Sequence, residues 1–437
     1  MNIYVVQPGD TIDKIADMYG VSATKLLQDN EIDNPNNLVP GQTIVIVYPE
    51  QTYTVQEGDS LSGIAANFGI SVMQLLKYNP FLSNREYIYP GEMLIISYDG
   101  KREIDTIGYA YPYINEFTLK KTLPNLTYLS ILNYRSTGEG DLEPFFDDSE
   151  IIQLAKDYGT IPLMMTTTLT ARGEPNIEDA YNILLSEDIQ ENTVQNTLNI
   201  LREKGYYGLN MVFNYMSEEN QTLYENLIRR MSNLLRTEGY LVFVTINPNI
   251  SNVNNEIIFE KVDYSILNDY VDSVIFLQFI WGTNKKPPAP ISSIVNLKAL
   301  MDYIVTLLPP EKIILGKPIS SYDWELPFDE GRDRASSLTH NSALSLAFDI
   351  GAVIQFDDIS QTPYFTYNQY VFGSPVQHIV WTIDARSIYA LILLVNEYNL
   401  QGIGVWNIMI YDPQLWLILN SQYEIRKLLP TNSTSIS

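Results

Sequence analysis

Tyr207-Gly208-Leu209-Asn210-Met211-Val212-Phe213-Asn214 reads as one short, buried, uncharged β-strand. Residues two apart on a strand point the same way, so Val212 and Asn214 share a face. Seven other segments read alike: Thr106-Ile107-Gly108-Tyr109, Tyr128-Leu129-Ser130-Ile131, Pro162-Leu163-Met164-Met165, Leu241-Val242-Phe243-Val244, Val274-Ile275-Phe276-Leu277, Ile313-Ile314-Leu315-Gly316 and Gly402-Ile403-Gly404-Val405. Amphipathic stretches such as Val194 to Glu203 and Leu223 to Leu235 lie between them. Eight strand–helix units predict an α/β chain folded as a (β/α)8 TIM barrel over 103–430. The long aromatic interval between strands seven and eight, about 322–383, predicts a small α+β insertion; Ala352-Val353-Ile354-Gln355-Phe356 is its strand-like part. In such a barrel Val212 and Asn214 face the interior and the mouth.

The residues before the barrel contain a duplication. Tyr4-Val5-Val6-Gln7-Pro8-Gly9-Asp10-Thr11 recurs as Tyr53-Thr54-Val55-Gln56-Glu57-Gly58-Asp59-Ser60. Ile15-Ala16 answers Ile64-Ala65, Leu26-Leu27 answers Leu75-Leu76, Asn30 answers Asn79, and Pro40-Gly41 answers Pro90-Gly91. Each copy runs strand, turn at Gly-Asp, two helical stretches, then a second strand, giving βααβ units at 1–48 and 52–98. A polar tail, 431–437, follows the barrel.

The repeats resemble LysM modules, which bind N-acetylglucosamine-containing glycans in a shallow groove between the loop after the first strand and the loop before the second. The resemblance places Gly9, Asp10, Thr11 and Ile12 opposite Asn30, Asn37 and Leu38 in the first module. In the second it places Gly58, Asp59, Ser60 and Leu61 opposite Asn79, Ile88 and Tyr89. Backbone amides and carbonyls would pair with the acetamide while apolar side chains cover the sugar face. Asp10 and Asp59 also suit the turn and the helix cap. Two modules in tandem would raise avidity on a repetitive polymer.

The barrel resembles glycoside hydrolase family 18, in its branch fused to LysM modules in bacterial spore cortex-lytic N-acetylglucosaminidases. The segments Gly108-Tyr109-Ala110-Tyr111-Pro112, Gly205-Tyr206-Tyr207-Gly208-Leu209-Asn210, Ser321-Tyr322-Asp323-Trp324-Glu325-Leu326-Pro327, Asp384-Ala385-Arg386-Ser387 and Gly402-Ile403-Gly404-Val405-Trp406 carry the likeness. That family carries Asp-x-x-Asp-x-Asp-x-Glu on its fourth strand; here the acidic positions fall on Tyr207, Asn210, Val212 and Asn214. Family 18 cleaves by substrate assistance: the Glu protonates the leaving oxygen, the Asp two residues earlier orients the sugar's acetamide, and a sixth-strand Tyr hydrogen-bonds it. An amide is not acidic near neutral pH, Val212 offers no charge, and Phe279 replaces the Tyr. General acid–base catalysis is worth roughly 10² to 10⁴ in rate, so the resemblance implies a pseudoenzyme with no intact catalytic residue. Glu218, Asp263, Asp323, Glu325 and Asp384 are the carboxylates that a relocated acid would draw on. Trp406 matches the family's Trp flooring the acetamide-sugar subsite, Trp281 and Trp324 could extend an aromatic platform, and Trp381 and Trp416 read as packing residues.

Composition agrees with a large core and limits the partners. Hydrophobic residues make up 45% of 437, and 52 acidic against 27 basic residues give a formal charge of −25. Such a surface repels phosphate backbones and anionic lipid, excluding nucleic acid as a natural partner, whereas neutral N-acetyl sugars of peptidoglycan or chitin remain compatible. With no cysteine and only His340 and His378, neither a thiolate nor a histidine-rich metal site is expected, nor any cofactor. No apolar run reaches membrane-spanning length, and no secretory signal is visible at Met1-Asn2-Ile3-Tyr4. The expectation is synthesis in the cytoplasm of a sporulating mother cell and residence in the spore envelope, coat or parasporal body. Three functions stay open: a glycan-binding envelope protein, an active N-acetylglucosaminidase with a non-standard acid, and a structural protein whose 31 tyrosines suit self-assembly with spore-coat proteins.

Overall fold

A computed structural model describes residues 1–430 apart from 33, 84, 86, 100–101, 169–175, 215, 254–255 and 279–282; the tail 431–437 also lies outside the described residues. All eight expected strands form: Arg102–Ala110, Tyr128–Ser136, Ile161–Thr167, Gly208–Phe213, Leu241–Ile246, Ser273–Leu277, Ile313–Pro318 and Gly402–Trp406. They pair in parallel in sequence order, and the eighth closes on the first through Gly402↔Asp105 to Val405↔Gly108. The result is a closed (β/α)8 barrel. Strand alternation sorts its side chains: Tyr109, Met165, Val212, Phe243, Ile275, Leu277 and Ile314 fill the interior, while Leu209, Met211 and Phe213 pack outward against the helices.

Between the seventh and eighth strands lies a five-stranded antiparallel sheet. Its members are Ser321–Leu326, Ser336–Leu338, Gln355–Asp357, Thr362–Val371 and Ser374–Trp381. The helix His340–Asp349 covers one face, seating Ala343 and Ala347 on Phe365 and Val380. The strand expected from Ala352 starts only at Gln355. Before it, the Ala352 amide is held by the Ala347 carbonyl and the Ile354 amide donates to Pro40 of the first repeat (2.9 Å), so neither can join a ladder.

Each repeat is a two-stranded antiparallel ribbon under two helices. The first pairs Asn2–Val5 with Thr43–Ile46 and carries Ile12–Tyr19 and Ala23–Asp29; the second pairs Gln51–Thr54 with Met93–Ser97 and carries Leu61–Phe68 and Val72–Tyr78. Thr11, Ser22, Ser60 and Ser71 cap these helices with their hydroxyls. Both units pack against the barrel: Val45, Val47, Met73, Tyr78, Ile95 and Tyr98 belong to the same core as the barrel helices. The helix Pro413–Gln422 lies at this junction. Gln414 bonds Thr43 and Asn30, and the Asn420 amide reaches the Lys77 carbonyl. Among the described residues no helix is long and apolar enough to cross a membrane.

Candidate functional site

The fourth strand brings Asn210 and Val212 to the barrel interior, and Asn214 follows directly after its last residue, Phe213. Asn210 is buried and both ends of its amide are engaged: Nδ2 donates to Ser130 Oγ (2.9 Å), and Oδ1 accepts from Thr245 Oγ1 (2.9 Å). Thr245 in turn lies 2.7 Å from the Tyr109 hydroxyl. Burial pushes the Tyr109 phenol well above its ordinary value, against the smaller pull of Thr245 and Asn210, so the chain of polar groups is neutral throughout. Val212 packs in the apolar interior layer with Tyr109, Met165 and Trp406. Asn214 is half-buried, and its Oδ1 faces the Asn247 amide nitrogen at 3.5 Å, a weak contact between neutral groups.

The expected aromatic positions divide. Trp406 is 5% exposed and its ring tilts against Tyr109, centroids 5.4 Å apart. Trp324 does not belong to a platform: it is 1% exposed, and its indole N–H donates to the Lys286 carbonyl (2.9 Å), so no ring face is open to a sugar. Phe279 and Trp281 lie outside the described residues. Trp381 and Trp416 are buried, as packing residues should be.

In the repeats, the groove residues fall into structural and open groups. Asn30 and Asn79, expected to face sugar, are instead buried clasps. Asn30 Nδ2 donates to Leu26 and Val45 carbonyls and its Oδ1 accepts the Val45 amide; Asn79 does the same with Leu75 and Ile95. Their hydrogen-bonding capacity is spent joining the second helix to the second strand. Asp10 Oδ2 accepts from the Tyr4 hydroxyl (2.6 Å) and the Gln7 amide (2.7 Å), and Asp59 from Tyr53 (2.8 Å) and Gln56 (2.7 Å). Both carboxylates hold the turn. Gly9, Thr11, Asn37, Gly58, Ser60 and Tyr89 stay exposed, Leu38, Leu61 and Ile88 are half-buried, and Ile12 is buried. Among the described residues no group of three or more His, Asp or Glu could hold a metal ion.

The sequence profile of the LysM domain matches residues 4–47 and 53–97, and that of the glycosyl hydrolases family 18 matches 166–410. The chain belongs to glycosyl hydrolases family 18. It is 32% identical to the cortical fragment-lytic enzyme of Bacillus subtilis (strain 168) over 436 residues, covering 98% of this chain and 99% of that protein. The crystal structure of the spore cortex-lytic enzyme SleL from Bacillus cereus superposes with a TM-score of 0.77 at 29% identity, covering 98% of both chains. That of Bacillus megaterium QM B1551 SleL gives 0.78 at 28%, covering 98% of this chain and 99% of the other.

The mouth of this family-18 barrel also carries a row that sequence reasoning missed. Tyr111 and Tyr113, in the loop after the first strand, stack at 5.2 Å, and Phe146, from the loop after the second, meets Tyr113 edge-on at 5.0 Å. Tyr113 and Phe146 are exposed. The Tyr-Pro-Tyr run just past a strand end was the available signal; Phe146 comes from a different loop and gave none. The five carboxylates considered as substitutes are placed as follows. Glu218 accepts the Lys261 amide, Asp263 the Ser265 amide, and Asp323 the Tyr367 hydroxyl with His378 Nδ1 at 3.0 Å. Asp384 caps the helix Ala385–Glu397 and pairs with Arg386, and Glu325 is exposed on the insertion sheet.

Proposed function

We propose that this chain is a family-18 protein without hydrolytic turnover that holds N-acetylglucosamine-containing glycan of the spore envelope through its LysM region. One observation carries the reading. The fourth strand and the residue after it carry two amides and an isopropyl group where this chemistry needs a proton donor and an acetamide-orienting anion; Asn210 is built into a neutral network with Ser130 and Thr245, and Asn214 meets the neutral amide of Asn247. A neutral amide neither donates a proton as an acid does nor balances an oxazolinium-like charge. Four of the five candidate carboxylates are engaged by other groups, which favours binding over a relocated acid. The names of the relatives, which lyse spore cortex or its fragments, supply the polymer; the matched LysM modules supply the grip. The row Tyr111–Tyr113–Phe146, of which Tyr113 and Phe146 are exposed, adds rings on which a sugar face can stack at the barrel mouth.

The test is reducing-end release from spore cortex peptidoglycan, and from a chromogenic chitobioside, by the unaltered protein. No release above the blank is expected, together with retention of the protein on sedimented cortex. Release that depends on one carboxylate of this chain would overturn the reading. The combined replacement Val212→Asp, Asn214→Glu and Phe279→Tyr is expected to raise turnover from that blank.

A further inference from the structure

The two repeats match along their length, with one extra residue in the second between Asn79 and Pro90, but their surroundings differ. In the first, Val39, Gly41, Gln42 and Thr43 are buried; their counterparts Tyr89, Gly91 and Met93 are exposed and Glu92 is half-buried. Gly41 and Gly91 share a φ of +90°, yet a Cβ on Gly41 would meet the Ile354 carbonyl oxygen at 1.9 Å, whereas nothing lies within 4 Å of one on Gly91. The insertion thus occupies the rim of the first groove, Val39 joining the core of Phe365 and Val380, and from the helix that follows the insertion Arg386 Nη2 donates to the Gly41 carbonyl (3.2 Å).

The floor differs as well. Lys14 Nζ donates to the Gly9 carbonyl (3.0 Å), engaging an acceptor on the turn that the LysM likeness assigns to sugar. The matching residue in the second module is Gly63, which has no side chain to do this. There the rim is held from within instead: Arg85 pairs with Glu92 (2.6 Å) and lies 5.9 Å from the Tyr89 ring, and Glu92 accepts the Tyr89 amide (2.9 Å). These contacts hold Tyr89, which is 57% exposed, and Tyr87 two residues earlier is 70% exposed. In the first module the same two positions are Asn37 and the 2%-exposed Val39.

From this asymmetry we infer that the duplicated modules have divided their work. The second is the glycan grip, with Tyr87 and Tyr89 stacking on N-acetylglucosamine rings opposite Gly58–Leu61. The first is a clamp that fixes the insertion to the barrel. The inference rests on the glycan-binding reading above, and it replaces two equivalent grips with one.

The experiment is titration calorimetry of the full chain with the N-acetylglucosamine hexamer, using mirror-image variants at exposed positions. Tyr89→Ala is expected to weaken binding about tenfold and Tyr87→Ala several-fold, roughly the loss of one ring–sugar stack each, while Asn37→Ala changes it less than about twofold. Gly63→Lys, which brings the first module's lysine into the second, is expected to weaken binding as well. Denaturation midpoints close to that of the unaltered chain keep these losses from being read as unfolding. Equal losses for Asn37→Ala and Tyr87→Ala, or binding untouched by Tyr89→Ala, would overturn the division of work alone. No binding by the unaltered chain would overturn the glycan reading with it.

Discussion

The two LysM modules began as copies and now make opposite use of one surface. Their internal construction has stayed the same: each has a Tyr–Asp turn lock, a hydroxyl cap on each helix and an Asn clasp joining the second helix to the second strand. What separates them is docking. The first module gives its Pro40–Thr43 edge to the insertion and to the helix Pro413–Gln422, whereas the second docks through Lys77 and Tyr78, which both bond Glu424 and leave the edge at Pro90–Met93 open. A fold repeated in sequence can thus keep its interior and change its role through what it is packed against.

The largest effect should come from giving both edges a methyl group. Gly41→Ala forces a Cβ into the Ile354 carbonyl at a left-handed φ, and should cost about 3–5 kcal/mol in urea unfolding. Gly91→Ala meets only the φ penalty and should cost about 1–2 kcal/mol. Equal costs would break the comparison. Next is Glu424→Gln, which takes the anion from Lys77, 3% exposed. Burial already holds the Lys77 ammonium below its ordinary range, with Glu424 opposing that shift, so losing the partner should cost about 3 kcal/mol at neutral pH. The unfolded chain then binds the proton more tightly than the folded one, and the deficit should shrink as pH rises toward the ordinary lysine range. Gln414→Leu tests the other dock: it removes bonds to the Thr43 hydroxyl and carbonyl and to Asn30, for about 1–3 kcal/mol, and should leave hexamer binding unchanged.

How much of this was visible in the residues follows physical range. The eight barrel strands are uninterrupted apolar segments between helical patterns, a local signal, and all eight were legible. So was the parity that sends Val212 inward, because alternation is a property of one strand. Trp324 was misjudged because a Trp near a strand end looks alike whether its indole meets sugar or the Lys286 carbonyl. Asn30 and Asn79 were misjudged for a related reason: a clasp required by the fold recurs in both copies as faithfully as a ligand contact would. The docking of the first module on Ile354 joins residues more than three hundred positions apart, and nothing in either segment announces the other.

The smallest effect concerns what the copies share. The Asp10 carboxyl is held below its usual range, chiefly by the Tyr4 hydroxyl and then by the Gln7 amide. A depressed acid stabilises the fold fully above its unfolded value of about 4, and that contribution is lost as pH falls through the lower folded value. Asp10→Asn keeps an acceptor for one donor but removes the charge, so it should cost about 0.5–1 kcal/mol at pH 7 and progressively less below pH 4. The readout is the urea midpoint of variant and unaltered chain between pH 7 and pH 3. Curves that converge on the acid side show the turn lock at work. A constant offset would mean that Asp10 acts through shape rather than charge, and the interior likeness of the two modules would then be looser than their matching hydrogen bonds suggest.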